Sequence, residues 1–343
     1  MTTCVAILNW NGLGHLKTYL PSVVEHSSSE NVEILLIDNG STDDSCDWVE
    51  DTYPSIRIKK LEKNFGFAGG YNKGLKEVNT DRIVLLNSDV KVTEGWIDKV
   101  NTTMDELGLS VCSPRILDYS SPTEFEYAGA AGGFIDKYGF MFCAGRIFDS
   151  FESAEGNSTE DMEVFWASGA SLFIDTKSWK EISGLDSSFF AHMEEIYLCW
   201  RLKNRGYKVG ICGTSDVYHL GGGTLSKSSS QKVYLNFRNN LLLLHKNERG
   251  FAPLFILKRL ILDGIAAFRF LLKLEFTFFY AVFKAHLVFY SMIPSTLRKR
   301  KAELLAQNST TPNQVGRYQK SIIVDYFFNG KSKLSDLDKS KFD

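Results

Sequence analysis

Residues 83–89 have the sequence IVLLNSD, in which four apolar residues lead into a polar end. An apolar run of this length is typical of a strand that is buried in a parallel sheet. Such a strand would place Asp89 at the carboxyl edge of the sheet, where open α/β sheets bind their ligands. A carboxylate there can bind a hard divalent cation whose shell a diphosphate completes, or Asp89 can simply be a turn residue.

Strands and helices are predicted to alternate on both sides of this stretch. Apolar runs at 4–8 and 32–37 predict two further strands, and the alternating pattern around Ile56 and Ile58 predicts another. This alternation predicts an α/β fold with a Rossmann-like, mostly parallel sheet flanked by helices. Further along the chain, strands are predicted at 168–174 and 207–212, and helices at 16–24, 43–51, 67–78, 94–107, 176–182 and 193–205.

Composition excludes several classes of protein. Hydrophobic residues make up 44% of the chain and charged residues 23%, as in ordinary globular proteins. The formal net charge of -2 argues against a nucleic-acid partner, because such proteins normally carry a basic excess. The six cysteines are too far apart for a zinc knuckle or a CxxC motif, which favours free thiols in a reducing cytoplasm. No secretory signal is expected, since the apolar run at 4–8 is too short.

The carboxyl-terminal third has a different character. Residues 251–297 are rich in Phe, Leu and Ile, but the longest charge-free stretch, 285–297, is shorter than the roughly 20 residues that span a bilayer. The basic run 298–301 follows directly and suits anionic headgroups. We therefore predict a pair of interfacial helices, with a helical subdomain against the catalytic domain or a dimer interface as the alternative. The last forty residues are expected to be loosely ordered.

Two motifs in the first hundred residues can contact a nucleotide. The sequence DNGSTD at 38–43 follows a predicted strand, so that Asp38 can accept hydrogen bonds from a base or ribose. The sequence NFGFAGG at 64–70 leads into a helix, and its small residues let a ligand approach backbone N–H groups. Taken alone, the first can be a turn with a helix cap and the second a site of close strand–helix packing.

Two later motifs carry groups that titrate or bind metals. Glu194 and Glu195 lie at a predicted helix start, where the helix dipole favours acids and where a general base could face an acceptor hydroxyl. His219 follows a predicted strand and precedes three glycines, a position suited to a metal ligand or a phosphate contact. A lone histidine is nevertheless more often structural.

The order of these motifs resembles glycosyltransferase family 2, specifically its bacterial rhamnosyltransferase-like branch. The resemblance covers residues 3 to about 225, roughly two-thirds of the chain, and it identifies the family more specifically than the sugar. The matching segments are NWNG at 9–12, DNGSTD at 38–43, NFGFAGG at 64–70, LNSD at 86–89, GLD at 184–186 with FF at 189–190, EE at 194–195, GY at 206–207 and HLGGG at 219–223.

The resemblance implies a GT-A fold with a carboxyl-terminal helical extension, and it assigns roles to individual residues. Glu195 occupies the position of the family's catalytic base, beside Glu194. Asp89 and His219 are implied as ligands of Mg²⁺ or Mn²⁺. The implied donor-binding residues are Asn9, Asn11, Asp38, Asn39, Asn64, Gly66, Asn87, Ser88 and Gly222.

The function implied by the resemblance is an inverting sugar transfer in cell-surface polysaccharide synthesis. The donor would be a dTDP- or UDP-sugar, with rhamnose the first candidate, and the acceptor a lipid-linked saccharide at the inner face of the cell membrane. The predicted organisation is a catalytic domain at 1–235, with a nucleotide-sugar half at 1–113 and an acceptor half at 114–235. A helical segment at 236–305 and a polar tail at 306–343 follow.

Two departures from the family pattern bear on activity. Asn87 replaces the first carboxylate of a strict DxD motif, so Asp89 is the one carboxylate that remains in it. With one carboxylate fewer, we expect weak metal binding before the donor binds. Tyr197 replaces an acid that members usually carry, so a catalytically weakened sugar-nucleotide-binding or scaffold protein is the alternative. A nucleotidyltransferase is disfavoured because residues 9–17 contain only Lys17 as a basic residue. A membrane-associated assembly protein is a third alternative.

Overall fold

The computed structural model describes residues 1–126, 130–154, 160–221 and 229–343. The strands are β1 (Thr3–Asn9), β2 (Val32–Asp38), β3 (Arg57–Lys60), β4 (Arg82–Asn87), β5 (Val90–Val92), β6 (Val111–Asp118), β7 (Gly133–Asp136), β8 (Met141–Cys143), β9 (Arg146–Ile147), β10 (Ser150–Phe151), β11 (Met162–Val164), β12 (Ser171–Asp175), β13 (Val209–His219) and β14 (Arg317–Tyr318). The α-helices are α1 (Leu13–His26), α2 (Ser45–Thr52), α3 (Gly66–Gly74), α4 (Trp96–Leu107), α5 (Thr176–Glu181), α6 (Glu194–Lys203), α7 (Ser230–Asn247), α8 (Ala252–Leu272), α9 (Phe276–Ser309) and α10 (Ile322–Phe327).

The first half of the chain forms the parallel part of the main sheet, in the order β3-β2-β1-β4. The apolar runs of β1, β2 and β4 are buried on both faces, as expected for strands covered by helices on each side. The register pairs Asn9 with Asp38 and Leu8 with Asn87, so the polar ends of three strands meet at one edge. The predicted α/β fold is therefore confirmed.

The later strands make the sheet mixed. β12 lies antiparallel between β4 and β6, and β13 runs parallel to β6. The short strand β5 begins immediately after Asp89 and pairs antiparallel with the end of β13, where His219 lies opposite Val90. This pairing brings the carboxyl end of β13 to that of β4, although β12 and β6 separate the two strands in the sheet.

Helix α3 is shorter than the sequence pattern predicts. The helical spacing continues to Val78, but the helix ends at Gly74 and a turn buries Leu75 and Val78 instead. A Cβ atom at Gly74 would lie 2.4 Å from the side chain of Ile37, so this glycine allows α3 to pack closely against β2. The extra apolar residues therefore belong to the same core without being helical.

A second sheet has five strands, in the order β10-β9-β8-β7-β14. Four of its strands lie between residues 133 and 151, and β14 comes from the carboxyl-terminal tail. Tyr318 and Ile322 in the tail are fully buried, and the backbone N–H of Ile322 donates to Asp136 over 3.0 Å. The expectation that the last forty residues are loosely ordered is wrong, because they complete this sheet. Hydrophobic periodicity alone could not predict that pairing.

The carboxyl-terminal helices form the predicted pair, α8 and α9, packed against α7. The position 235/236 falls inside α7, so the helical segment continues directly from the acceptor half. Within the described ranges, α9 is the one helix whose length and hydropathy would allow it to cross a bilayer. The charge-free residues 285–297 are only one part of this helix. The helix begins at Phe276, and Lys284 is the one charged residue before that stretch.

We expect Tyr318→Ala to lower the free energy of unfolding by about 3–5 kcal/mol, the cost typical of truncating a buried aromatic residue. The ring is fully buried against Phe142 and Phe342, and its hydroxyl donates to Asp325 over 2.5 Å. Urea titration would measure the change. The control is Phe328→Ala, since that side chain is 80% exposed and its loss should change stability little. Equal effects of the two substitutions would show that the tail does not add to the core.

Candidate functional site

The ends of β1 and β2 form one wall of the site. Asn9 is fully buried, and its side-chain amide donates to Ser45 over 2.9 Å and to Ser41 over 3.2 Å. Asp38 is also buried, and both of its carboxylate oxygens lie 3.3 Å from the backbone N–H of Ser41. The carboxylate at the end of β2 is therefore fixed by the turn that follows it.

Asn11 connects the loops that follow β1 and β2. Its side-chain oxygen accepts from the N–H of Thr42 over 2.7 Å, and its own N–H donates to Ser41 over 2.9 Å. The residue adopts a positive φ of 50°, a conformation that asparagine tolerates better than most residues. Next to it, a Cβ at Gly12 would lie 2.4 Å from Asn9 Oδ1 and 3.8 Å from Ser88 Oγ, which places this loop beside the end of β4.

Asn39 has a different role from the predicted donor contact. Its amide nitrogen donates to Asn64 Oδ1 over 3.0 Å and to the carbonyl of Gly66 over 3.1 Å, while its oxygen accepts from the N–H of Phe65 over 3.0 Å. Asn64 also accepts from the N–H of Gly66 over 2.8 Å. Asn39 therefore holds the glycine-rich loop in place beside the end of β2.

Asp89 and His219 form a buried ion pair at the meeting point of β4 and β13. His219 Nε2 lies 3.1 Å from Asp89 Oδ1 and 3.3 Å from the amide nitrogen of Asn87. Burial disfavours both charges, but the hydrogen bond and mutual attraction outweigh it. The pKa of Asp89 is lowered as a result, and the pKa of His219 is raised to about 10 with a further contribution from Glu126.

Glu126 is a member of this cluster that the sequence did not reveal. It is buried, and its carboxylate lies 3.8 Å from His219 Nδ1, on the side of the ring opposite Asp89. A Cβ at Gly221 would lie 2.8 Å from Glu126 Oε1, so the first glycine after the histidine makes room for this acid. Glu126 lies outside every motif in the sequence, so its position beside His219 could not be predicted. Gly222 lies outside the residues that the structure describes.

The chemistry of this cluster fits a divalent cation that is shared with a diphosphate. Among the described residues, no group of three or more His, Cys, Asp or Glu side chains is arranged to hold a metal by itself. Asp89 Oδ1 and His219 Nε2 lie 3.1 Å apart, and a cation bound between them would have to displace the proton that His219 carries in the ion pair. Mg²⁺ and similar ions commonly take one or two protein ligands and complete their shell with phosphate oxygens and water.

The acidic pair lies across the site from this cluster. Glu194 is buried, and its Oε2 has no hydrogen-bond partner among the described residues. Glu195 packs against Gly169, where a Cβ would lie only 3.5 Å from the Cβ and Cγ of the glutamate. The next residue, Ala170, accepts a hydrogen bond from the N–H of Asn87 over 3.0 Å, which connects the acidic pair to the end of β4.

Loss of solvation dominates the electrostatics of the acidic pair. Burial raises the pKa of both carboxyls, with like-charge repulsion adding to the shift at Glu194, and the pKa of Glu195 reaches about 7. A carboxylate with a pKa close to neutral pH is well suited to exchange protons with a substrate hydroxyl. The placement of Glu195 at the first turn of α6 leaves it ionisable, because the dipole of the helix favours the charged form.

Tyr197 lies on the inner face of α6. It is buried, and it stacks on Phe189 with 5.1 Å between ring centroids. Lys246 and Arg201 lie 5.0 and 5.3 Å from its ring centre, where their charges contact the π face. The tyrosine that replaces the usual acid therefore packs in the core beneath the acidic pair.

These features define a GT-A fold, in which the edge of the main sheet carries the Asp89–His219 pair and the start of α6 carries two acids. Residues 4–150 match the model of glycosyl transferase family 2, and this part of the chain is a family 2 glycosyltransferase domain. The family and the fold class predicted from the motif order are therefore confirmed.

Two curated relatives align beyond this domain. The chain is 26% identical over 215 residues to the low-salt glycan biosynthesis hexosyltransferase Agl10 of Haloferax volcanii, a match covering 61% of this chain and 66% of the relative. It is 23% identical over 259 residues to the N-acetylglucosaminyl-diphospho-decaprenol L-rhamnosyltransferase of Mycobacterium tuberculosis, covering 70% of this chain and 83% of the relative.

Among solved structures, the fold is similar to that of GalNAc-T7 crystallised with UDP, GalNAc and Mn²⁺. The TM-score is 0.53 at 16% sequence identity, and the match covers 72% of this chain and 48% of that one. At this identity the likeness concerns the fold alone.

We expect Glu195→Gln to stabilise the protein at pH 8 by about 2–3 kcal/mol and to have little effect at pH 4. The folded-state pKa of about 7 lies above the ordinary value of 4.5, so ionising this carboxyl costs folding energy. The penalty appears as the pH rises through 4.5 and is complete above 7. Urea titrations at both pH values would measure it.

The control for this experiment is Glu62→Gln, because Glu62 is an exposed glutamate. Its replacement should leave the pH dependence of stability unchanged. A stabilisation by Glu195→Gln that is equal at pH 4 and pH 8 would contradict the assignment of a raised pKa to Glu195.

Proposed function

We propose that this protein is an inverting, metal-dependent glycosyltransferase that transfers a sugar, with rhamnose the first candidate, from a dTDP- or UDP-sugar. The acceptor is a lipid-linked saccharide at the inner face of the cell membrane, in cell-surface polysaccharide synthesis. The observation that carries the proposal is the connection between two groups of opposite chemistry. Asn87, beside the Asp89–His219 pair, bonds to Ala170, and the adjacent Gly169 packs against Glu195.

The donor half supports binding of a nucleoside diphosphate. Asp38 stands buried at the end of β2 with its carboxylate oriented by the following turn, which suits hydrogen bonds from a ribose or base. Asp89 and His219 would hold Mg²⁺ or Mn²⁺ together with the diphosphate, and Asn87 and Ser88 lie beside them. The bound cation would stabilise the negative charge that develops on the leaving diphosphate.

The acceptor half supports general-base catalysis by Glu195. In the proposed reaction Glu195 takes the proton of an acceptor hydroxyl while that oxygen forms a bond to the anomeric carbon. The bond between this carbon and the diphosphate breaks, its electron pair leaves with the nucleoside diphosphate, and the configuration inverts. A Cβ placed at Gly169 would lie in ordinary van der Waals contact with Glu195, so the base stands close beside this glycine.

The comparisons support the choice of donor and acceptor. A solved neighbour of the same fold was crystallised with UDP and Mn²⁺, and a curated relative is named for the transfer of L-rhamnose to a decaprenol-linked saccharide. A lipid-linked acceptor places the protein at a membrane surface. Cytoplasmic location on the inner leaflet follows in the proposal from the use of a soluble nucleotide-sugar.

The surface of α8 and α9 supports contact with that membrane. Large apolar side chains are exposed along both helices, and the fully exposed charges over 251–301 are all cationic, because Asp263 is buried and Glu275 is half-buried. Apolar side chains flanked by lysine and arginine are typical of helices that lie in the interface of an anionic bilayer. The exposed apolar residues are Phe251, Leu254, Leu257, Ile261, Ile265, Phe268, Leu272, Leu274, Phe276, Phe279, Tyr280, Phe283, Leu287, Tyr290 and Leu297.

We expect Asp89→Ala and Glu195→Gln each to abolish sugar transfer, but through different steps. Loss of the base should lower turnover by about 10²–10⁴-fold while leaving nucleotide binding intact. Loss of Asp89 should remove both turnover and the thermal shift produced by the nucleotide with Mn²⁺ or Mg²⁺. The measurements are release of the nucleoside diphosphate and a thermal-shift screen of UDP-, dTDP- and GDP-sugars.

Asp98→Ala is the control, since Asp98 is an exposed carboxylate on α4. It should match the unaltered protein in both assays. Near-normal turnover in Glu195→Gln would overturn the assignment of the base. Binding of nucleotide and metal without release from any donor sugar would instead favour a scaffold or sugar-nucleotide-binding protein.

For the membrane contact, we expect the triple replacement of Ile265, Phe268 and Leu272 by Glu to weaken binding to anionic vesicles at least tenfold. Full burial of one such apolar side chain stabilises it by roughly 1.5–3 kcal/mol relative to water. The loss of three side chains therefore lowers the binding free energy by more than a tenfold change in affinity requires, even when each is only partly inserted in the bilayer. Sedimentation with vesicles of phosphatidylglycerol and phosphatidylcholine would measure it. Donor hydrolysis should be retained.

The matched control is Phe151→Glu, which changes an exposed aromatic residue on the second sheet. It should leave vesicle binding unchanged. Unaltered sedimentation of the triple variant, or a change of its oligomeric state in place of vesicle binding, would assign the apolar surface to a protein interface instead.

A further inference from the structure

The loop that precedes α6 holds an unusual backbone conformation. Phe190, His192 and Met193 have positive φ values of 67°, 68° and 70°, although none of them is glycine. Residues with side chains rarely adopt this region, and such strain persists only where surrounding structure fixes the backbone. The loop ends at Glu194 and Glu195, so its conformation determines how the acidic pair enters the site.

The side chain of Phe189, buried against Tyr197, anchors the start of this segment, but two polar side chains further along do not. Nε2 of His192 and Oε2 of Glu194 are buried and have no hydrogen-bond partner among the described residues. Glu195 is in van der Waals contact with Gly169, a contact that restricts its position without orienting it. The backbone of residues 190–193 therefore needs stabilising contacts of its own.

Asn239 of α7 supplies such contacts. Its side chain is fully buried, and its amide nitrogen lies 3.1, 2.8 and 2.8 Å from the carbonyl oxygens of Phe189, Ala191 and His192. The two N–H bonds of one amide are thus shared among three carbonyls of the loop, those of residues 189, 191 and 192. This arrangement stabilises the backbone turn that positive φ values produce.

The neighbouring Arg238 fixes the orientation of this amide. Its guanidinium donates to Asn239 Oδ1 from Nε over 2.9 Å and from Nη2 over 2.7 Å. Nη2 also donates to the carbonyl of Phe189 over 2.7 Å. Because arginine can only donate, the oxygen of Asn239 must face Arg238 and the nitrogen must face the loop.

We propose that Asn239 is a positioning residue for Glu195, which it orients by holding the backbone of residues 189–192. The inference rests on the proposed function of Glu195 as the base. Because Asn239 is fully buried and its amide bonds to loop carbonyls, we expect its loss to reduce turnover without weakening the binding of substrates. Misplacing a catalytic group by about an ångström can cost on the order of 10²-fold in rate.

The test uses Asn239→Asp, which keeps the shape of the side chain and its acceptor toward Arg238 but removes the two donor hydrogens. We expect kcat to fall by about 10–100-fold while KM for the donor sugar and the thermal shift with nucleotide and Mn²⁺ stay unchanged. Asn239→Ser retains one donor, and its kcat should lie between those of Asn239→Asp and the unaltered protein. The serine variant also keeps the test informative if the aspartate variant does not fold.

Asn240 offers a matched control on the same helix. It is equally buried, and its amide nitrogen donates to the carbonyl of Gly139 over 2.8 Å, beside the second sheet and away from the acidic pair. Asn240→Asp also loses a buried backbone hydrogen bond, so it should lower stability but leave kcat unchanged at temperatures where it is folded. Equal losses of kcat in Asn239→Asp and Asn240→Asp, or an unchanged kcat in Asn239→Asp, would overturn the inference.

The outcome is separable from that of the proposed function. If the unaltered protein transfers no sugar from any donor, the proposed function fails. If Glu195→Gln abolishes transfer while the Asn239 variants behave like Asn240→Asp, the function stands and the positioning role is wrong.

Discussion

The ion pair between Asp89 and His219 joins the turn after β4 to the carboxyl end of β13. The two residues come from strands that are separated by β12 and β6, and their side chains approach within 3.1 Å only because β5 turns back from Asp89 to pair with β13. Neither charge would be stable alone at this depth, since burial opposes both. The pair therefore couples the formation of the sheet edge to the assembly of the candidate cation site.

The sequence predicted this edge well, because the signals are local. Apolar runs predicted β1, β2 and β4, and the polar residues that follow them, Asn9, Asp38 and Asp89, lie together as strand ends in parallel register must. Contacts between distant segments could not be predicted in this way. Glu126 lies in an irregular stretch without a motif, and β14 is a two-residue strand whose role depends on a partner some 180 residues earlier in the chain.

Asn239 could be noticed in the sequence but not interpreted. The segment RNN at 238–240 precedes four leucines in a helix that is otherwise buried, and three polar residues in such a position require partners. Their partners include backbone carbonyls of loops 47 to 101 residues away, which no periodicity encodes. A buried polar cluster on a helix therefore indicates that the helix holds another segment, whereas only the structure identifies which one.

Beneath the acidic pair, the charges are arranged in a way that accounts for Tyr197. Lys246 pairs with the buried Asp186 over 3.0 Å, and the side chain of Arg201 lies 3.4 Å from Glu303 of α9. Asp186 and Glu303 already neutralise these two cations, so an acid at position 197 would add an excess negative charge. The aromatic ring of Tyr197 instead fills the space and makes cation–π contacts with both cations. The replacement therefore changes what packs under α6 without removing a group from the face that Glu195 presents.

These contacts also connect the acidic pair to the helical segment. Lys299 of α9 reaches Asp186 over 2.5 Å, just ahead of the strained loop, and Arg300 of α9 donates to the carbonyls of His245 and Glu248 at the end of α7. The loop contains residues with positive φ and buried polar atoms that have no hydrogen-bond partner among the described residues, and both features cost folding free energy. Asn239 of α7 donates to its carbonyls, and Lys299 of α9 pairs with Asp186 just ahead of it. Because α9 carries the exposed apolar surface on its other side, the segment proposed to contact the membrane and the segment that positions the acids are parts of one packed unit.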